Sequence, residues 1–388
     1  MAYRGSQDPD QTRNLIIAGV LSVLILVGFE FFYNIPAQQR LQAAQRAQAA
    51  QQHSQQTEPA AVAPAPALPP EQVVASSAAQ RVPIDTPAVD GSISLVGARL
   101  DNLNLRQYRR TIDPNSGEVG LLAPYDSQHG YDAFVGWEDR NATANAAGDC
   151  TANCGIGAAD VWTAPAGSRL TPQTPIVLTY RSPEGLQVTR TISIDQNYMF
   201  TISDVVRNTG AQGRTLRPFG VVRRLGKPAD WLNSSMVHQG FAGAFGPRQE
   251  LHTETYARGE QQSRDRLQGK VASDARIVEA SGRGGWIGIS DHYWLGALIP
   301  DRNEQIDGYF DGRSVNNQVD YRSAYRGQWR DIPAGGSVTY TQHVFAGAKR
   351  LDVLQTYQRG MGIPRFDEAI DWGNLMWPLT RPFFTWLL

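Results

Sequence analysis

Residues able to do chemistry are few in this 388-residue chain and poorly placed for it. Its six histidines (His53, His129, His238, His252, His292 and His343) include no HExxH or other close pair that could ligate zinc. Gly155-Ile-Gly157 opens like a dinucleotide-binding loop, but Asp160 stands where the third glycine must lie. Neither a Gly-Lys-Ser/Thr phosphate loop nor a Gly-x-Ser-x-Gly nucleophile elbow occurs. Asp291-His292 has the composition of an acid–base pair. It lies between the apolar runs Trp286-Ile-Gly-Ile289 and Tyr293-Trp-Leu295, where a structural strand residue accounts for it. No catalytic, cofactor-binding or metal site is expected, and the chain does not read as an enzyme.

Cys150 and Cys154 are the only cysteines, four apart in a glycine-rich loop. Two thiols cannot complete a zinc site alone, and a cytoplasmic redox motif would be CxxC on a helix. In an exported, oxidising compartment the pair closes a small disulfide loop; two free thiols are the alternative. So short a loop stabilises the fold little, because the entropic gain grows with loop length.

The elements that carry these residues divide into four parts. In residues 1–36, Leu15 to Phe29 is uncharged, and Phe31, Phe32 and Tyr33 follow a single Glu30. Together they make about nineteen residues, close to the roughly 20 that cross a ~30 Å hydrocarbon layer. A cleaved secretory signal would have a shorter core and end in small residues, whereas this run ends on aromatics. A transmembrane anchor is expected. Arg4 and Arg13 before the span balance Arg40 and Arg46 after it, so charge does not set its direction. The formal net charge of -1 draws the chain to no nucleic acid.

Residues 37–89 are rich in Ala, Gln and Pro, with no glycine or aromatic residue, and so read as a disordered linker. From 90 to 348 the texture becomes period-two alternation. Leu186, Val188, Ile192 and Ile194 share a face; Tyr198, Phe200 and Ile202 alternate with Met199, Thr201 and Ser203; Val338, Tyr340 and Val344 repeat the pattern. Turn signals punctuate it, as at Ser182-Pro-Glu-Gly185 and Gly282-Arg-Gly-Gly285. Long helical periodicity is nearly absent before Leu351. The fold class is therefore all-β, one large antiparallel sandwich without crossover helices.

In residues 349–388, Leu351, Leu354 and Tyr357 recur at helical spacing. Phe366, Ile370 and Trp377 then share a face against Asp367, Glu368 and Asp371. With Trp372, Phe383, Phe384 and Trp386 they form the expected membrane-interface residues, on an amphipathic segment lying in the headgroup layer. A helix packed on the β domain is the alternative. Pro382-Phe-Phe-Thr-Trp-Leu-Leu388 reads as the start of a second membrane helix.

The arrangement resembles the YidC family of membrane protein insertases. Arg13-Asn-Leu-Ile with its span is similar to the family's first helix, and Trp286-Ile-Gly-Ile-Ser-Asp-His-Tyr-Trp-Leu-Gly-Ala-Leu-Ile-Pro300 to a strand pair of its periplasmic domain. Phe345-Ala-Gly-Ala-Lys, Phe366-Asp-Glu-Ala-Ile-Asp-Trp-Gly and Arg381-Pro-Phe-Phe resemble its run into the second membrane helix, with Ala348 where the family often has proline. The resemblance implies a galactose-mutarotase-like β-supersandwich in the periplasm, on the bacterial inner membrane. It implies as partners the lipid bilayer, nascent membrane proteins and Sec translocon components (SecYEG, SecDF), with no cofactor. The family's polar substrate groove is expected beyond Leu388. A membrane-tethered carbohydrate-binding or mutarotase-like protein is the alternative, and it needs a histidine such as His238, His252 or His292 facing a carboxylate in an open cleft.

Peptides from the chain isolated without reducing agent should carry Cys150 and Cys154 two hydrogens lighter, joined to each other. Alkylation of both thiols in freshly isolated membranes is the contrary result.

Overall fold

The computed structural model describes residues 67–144, 150–229, 231 and 237–371. A short helix, α1 (Pro70–Ser76), leads into β1 (Arg81–Asp85), β2 (Val89–Ser94), β3 (Arg99–Arg109), β4 (Glu118–Leu122) and β5 (Tyr131–Asp139). The small pair β6 (Thr143–Ala144) and β7 (Cys150–Ala152) follows, then β8 (Ile176–Arg181), β9 (Leu186–Ile194), β10 (Met199–Asn208), β11 (Arg214–Leu225), β12 (Gly240–Phe245) and β13 (Glu250–Thr255). Helix α2 (Tyr256–Leu267) interrupts the strands. After it come β14 (Val278–Arg283), β15 (Trp286–Ser290), β16 (Trp294–Ile299), β17 (Gln305–Val315), β18 (Gln318–Arg326), β19 (Arg330–Ile332) and β20 (Ser337–Ala348). Helix α3 (Leu351–Met361) and a 3-10 turn (Phe366–Ala369) end the described chain.

Two large antiparallel sheets face each other. One runs β1-β2-β3-β5-β11-β18-β17-β14, with β4 on β3 and β19 on β11; the other runs β13-β12-β15-β16-β20-β10-β9-β8. The all-β sandwich expected from the alternation is the architecture observed. Inward residues of β9 (Leu186, Val188, Ile192, Ile194) and of β10 (Phe200, Ile202, Val206) are almost fully buried. Burying this apolar surface drives the sheets together.

The same inward face of β9 carries Arg190, which is 0% exposed. It sits directly opposite Asp204 on β10 and donates two hydrogen bonds of 2.7 Å to its carboxylate. Trp137 Nε1 of β5, from the facing sheet, donates to the same carboxylate at 2.9 Å. The guanidinium also lies 4.5 Å from the centre of the Trp162 ring. Close packing elsewhere requires glycine. A Cβ on Gly347 would stand 2.1 Å from the Tyr198 ring, and one on Gly220 would meet Tyr325 at 2.8 Å and Leu298 at 3.0 Å.

Three sequence expectations are corrected here. The linker was expected to run to Val89, but β1 pairs with β2 in register, and Val82, Ile84, Ala88 and Val89 belong to the core. The β fold therefore begins before residue 90. It also continues past 348, because Val353, Leu354 and Tyr357 of α3 are buried in the same core. Helix α2 carries no apolar stripe; it buries Tyr256, Gly259, Gln262 and Ser263, a small and polar face that hydrophobic periodicity cannot register. The expected spans near residues 15–33 and 382–388 lie outside the described residues. Among the described residues, no helix is long and apolar enough to cross a membrane.

Replacing Asp204 with Asn keeps the shape but leaves the Arg190 charge uncompensated in the core. Urea denaturation should show a loss of about 3–5 kcal/mol, and the double replacement Arg190→Met with Asp204→Leu should recover much of it.

Candidate functional site

At one end of the sandwich, where β15 turns into β16 and β20 ends, the surface is hollowed into a groove of about 550 Å³. Its walls are Tyr108 and Arg109 at the end of β3, the turn His292–Tyr293, Trp294, and Ala348 to Arg350, with Ile370 and Asp371 on one side. The strand ladder continues into it, because Lys349 N–H donates to Tyr293 O at 2.9 Å. Asp291 N–H donates to Trp294 O at 2.9 Å and tightens the turn. Asp291 is thus in a turn, not in a strand as expected. The Tyr108 and Trp294 rings meet edge to face at 4.9 Å, Tyr293 lies 6.0 Å from Trp294, and His292 is 4.2 Å from Tyr293.

A buried polar network holds this turn from beneath. Arg224 Nη2 donates to Asp291 Oδ2 at 2.5 Å, and the Tyr256 hydroxyl donates to Asp291 Oδ1 at 2.9 Å. The Arg224 guanidinium lies 4.1 Å over the Tyr131 ring, and the Tyr131 hydroxyl donates to Ile289 O at 3.0 Å. Burial, and then the Asp291 charge, push both tyrosine hydroxyls above their ordinary range, so they act as neutral donors. Lys349 Nζ donates to Ser290 Oγ at 2.8 Å. Burial lowers the Lys349 amine to about 8, while the Asp291 and Asp371 charges pull the other way. Ser290 is only 1% exposed, so the Ser–Lys contact is closed to a substrate. The groove presents aromatic edges and paired charges at its surface.

The expected interface residues separate. Phe366 is 0% exposed, its ring 5.5 Å from Trp286 and 5.3 Å from Phe345. It belongs to the core and not to a membrane-facing side, and this corrects the expectation. Asp367, placed on the polar face, is buried as well. Ile370 is half-buried on the groove wall. Trp372, Trp377, Phe383, Phe384 and Trp386 lie outside the described residues. Tyr293 is exposed and Trp294 half-buried at the groove, and in the sequence both only continue an apolar run.

The remaining candidates have structural partners. Cys154 is disulfide-bonded, and among the described residues no cysteine is free. Gly155 packs on Trp137 O, where a Cβ would stand at 2.1 Å, and Ile156 exchanges backbone bonds of 2.8 and 2.9 Å with Trp137. The His238 ring bonds Phe241 O at 2.9 Å, while its backbone N–H donates to Asp371 Oδ2 at 2.8 Å; burial lowers its pKa. The His252 ring packs on Phe245 at 4.5 Å. Among the described residues no His, Cys, Asp and Glu group could hold a metal ion.

The family model for the YidC periplasmic domain matches residues 81–386. Over 387 residues the chain is 39% identical to the membrane protein insertase YidC of Maricaulis maris, covering 98% of this chain and 60% of that protein. With the protein of that name from Rhizobium etli it shares 37% over 388 residues, covering 97% and 60%. The chain thus spans about 60% of the length of the curated relatives it matches. Among solved structures, a galactose mutarotase related enzyme from Lactobacillus acidophilus aligns at TM-score 0.42 and 10% identity, over 69% of this chain and 97% of that one. A putative aldose 1-epimerase from Escherichia coli aligns at 0.38 and 8%, over 69% and 99%. At these scores the likeness carries no argument about ligand or activity.

The depressed Lys349 pKa has a measurable sign. Between about 8 and 10 the unfolded lysine holds more protons than the folded one, so its contribution to stability rises with pH through that window. Denaturation of the wild type and of Lys349→Met should therefore diverge by on the order of 1–3 kcal/mol from pH 8 to 10, the wild type gaining. Parallel pH profiles would show that the amine is solvated.

Proposed function

This chain belongs to the YidC family of membrane protein insertases, and we propose that it serves the insertion and folding of bacterial inner-membrane proteins. The supporting observation is the family match across the whole β domain, with relatives aligned along nearly the whole chain. In this reading the apolar run Leu15–Phe29 anchors the chain in the inner membrane. The sandwich stands in the periplasm, and Cys150 and Cys154 form a disulfide in that oxidising compartment. Nascent membrane proteins are the substrates, and Sec translocon components dock on the β domain. The activity is not enzymatic; it lowers the cost of moving polar segments through hydrocarbon by offering them a polar path.

A carbohydrate-binding or mutarotase-like role is the second reading, and no observation favours it. The rings of His129, His238 and His343 bond backbone carbonyls or a threonine hydroxyl, and those of His252 and His292 pack on aromatic rings.

A polar groove must be enclosed by several membrane helices, since one apolar helix would leave polar groups facing lipid at several kcal/mol each. Reconstituted in liposomes, this chain alone should insert a small membrane-protein substrate no better than protein-free liposomes. The same chain extended to the relatives' full length should insert it. Failure of the extended protein refutes the insertase reading; insertion by the shorter one places the active path in the wrong half.

A further inference from the structure

Both ends of the described chain meet at the groove end of the sandwich. Gln128 N–H bonds Leu68 O at 2.8 Å, three residues before Tyr131, whose hydroxyl reaches Ile289 beneath the groove. Glu71 of α1 lies 3.5 Å from Arg110, just beyond the groove residue Tyr108. Asp371, where the described chain stops, lines the groove itself. Beyond these points the sequence holds the apolar run Leu15–Phe29 on one side and Phe383, Phe384 and Trp386 on the other.

The same end gathers exposed apolar side chains. Among the described residues seven large hydrophobic side chains are exposed, and Leu68, Tyr293 and Ile112 of these lie there; Ile112, on the loop after β3, is the most exposed of the seven at 105%. Half-buried Tyr108 and Trp294 stand beside them. Water is a poor solvent for such a patch, and tyrosine and tryptophan are the side chains suited to a headgroup layer. Its charges balance: Arg109 pairs with Glu118, Arg350 with Asp352, and Lys349 feels Asp371. A surface so balanced gains little from an anionic membrane.

We propose that this end of the β domain is a lipid-contact surface: Ile112, Tyr293, Trp294 and Tyr108 rest in a zwitterionic headgroup layer and stand the sandwich end-on upon the bilayer. The proposal rests on the membrane-anchored reading of the chain and adds a contact that the anchor does not require. A tether alone would let the domain tumble in any orientation; an apolar rim around both chain exits selects one.

The test uses the full chain reconstituted in liposomes of phosphatidylethanolamine and phosphatidylcholine. An environment-sensitive fluorophore is placed at Ile112→Cys or, as reference, at Val205→Cys, an exposed position on β10 about 20 Å from that strand's groove end. Lipid spin-labelled at the headgroup should quench the first label several-fold more than the second. High salt or added phosphatidylglycerol should leave the difference unchanged, and Tyr293→Ser should reduce it. Equally weak quenching at both positions, in chains that still float with the liposomes, overturns the lipid contact and leaves the anchor standing. Quenching that requires phosphatidylglycerol and vanishes in high salt overturns the zwitterionic surface in favour of an electrostatic one. Chains that fail to float overturn both readings together.

Discussion

A charge in the core constrains the whole sandwich. Arg190 lies on the apolar face of β9, and the cost of removing its guanidinium from water is met only where Asp204 stands opposite it on β10. A slip of one residue between these strands would turn one partner outward and strand the other in hydrocarbon-like surroundings. Trp137 extends the constraint across the interior by tying β5 of the facing sheet to the same carboxylate. Two sheets that apolar burial alone could slide past one another are thereby given one relative placement.

A second buried ion pair shapes the groove end of the sandwich. Arg224 and Asp291 are both largely shielded, and Asp291 spends its second oxygen on Tyr256 at the start of α2. The short turn between β15 and β16 is consequently held from below, so the residues after Asp291 must project. Tyr293 and Trp294 are displayed by a rigid base rather than by a loose loop. Such a base holds these two side chains in one geometry at the mouth of the groove.

The correction at Phe366 follows from the same economy of burial. An amphipathic period states that one face of a segment avoids water, but not what covers that face. Here Trp286 and Phe345 cover Phe366, and Trp286 Nε1 caps the arrangement by donating to Pro364 O at 3.1 Å. The segment that looked bound for lipid spends its first aromatic residue on the domain.

Local chemistry by itself determined the strand texture, the apolar run Leu15–Phe29 and the absence of any sequence-local catalytic or metal motif. Each depends on residue types within reach of one another along the chain: alternation of period two, an uninterrupted hydrophobic length, or ligand spacing. Tertiary structure alone decided that Arg190 is inside, that β1 and α3 belong to the core, and that α2 is a helix with a polar buried face. It also decided that Tyr293 and Trp294 reach the surface while Phe366 does not. Several of these cases turn on a partner beyond the local window, as Asp204 is for Arg190 or Trp286 for Phe366. Burial is a property of what closes over a residue, and that is settled only when distant segments meet.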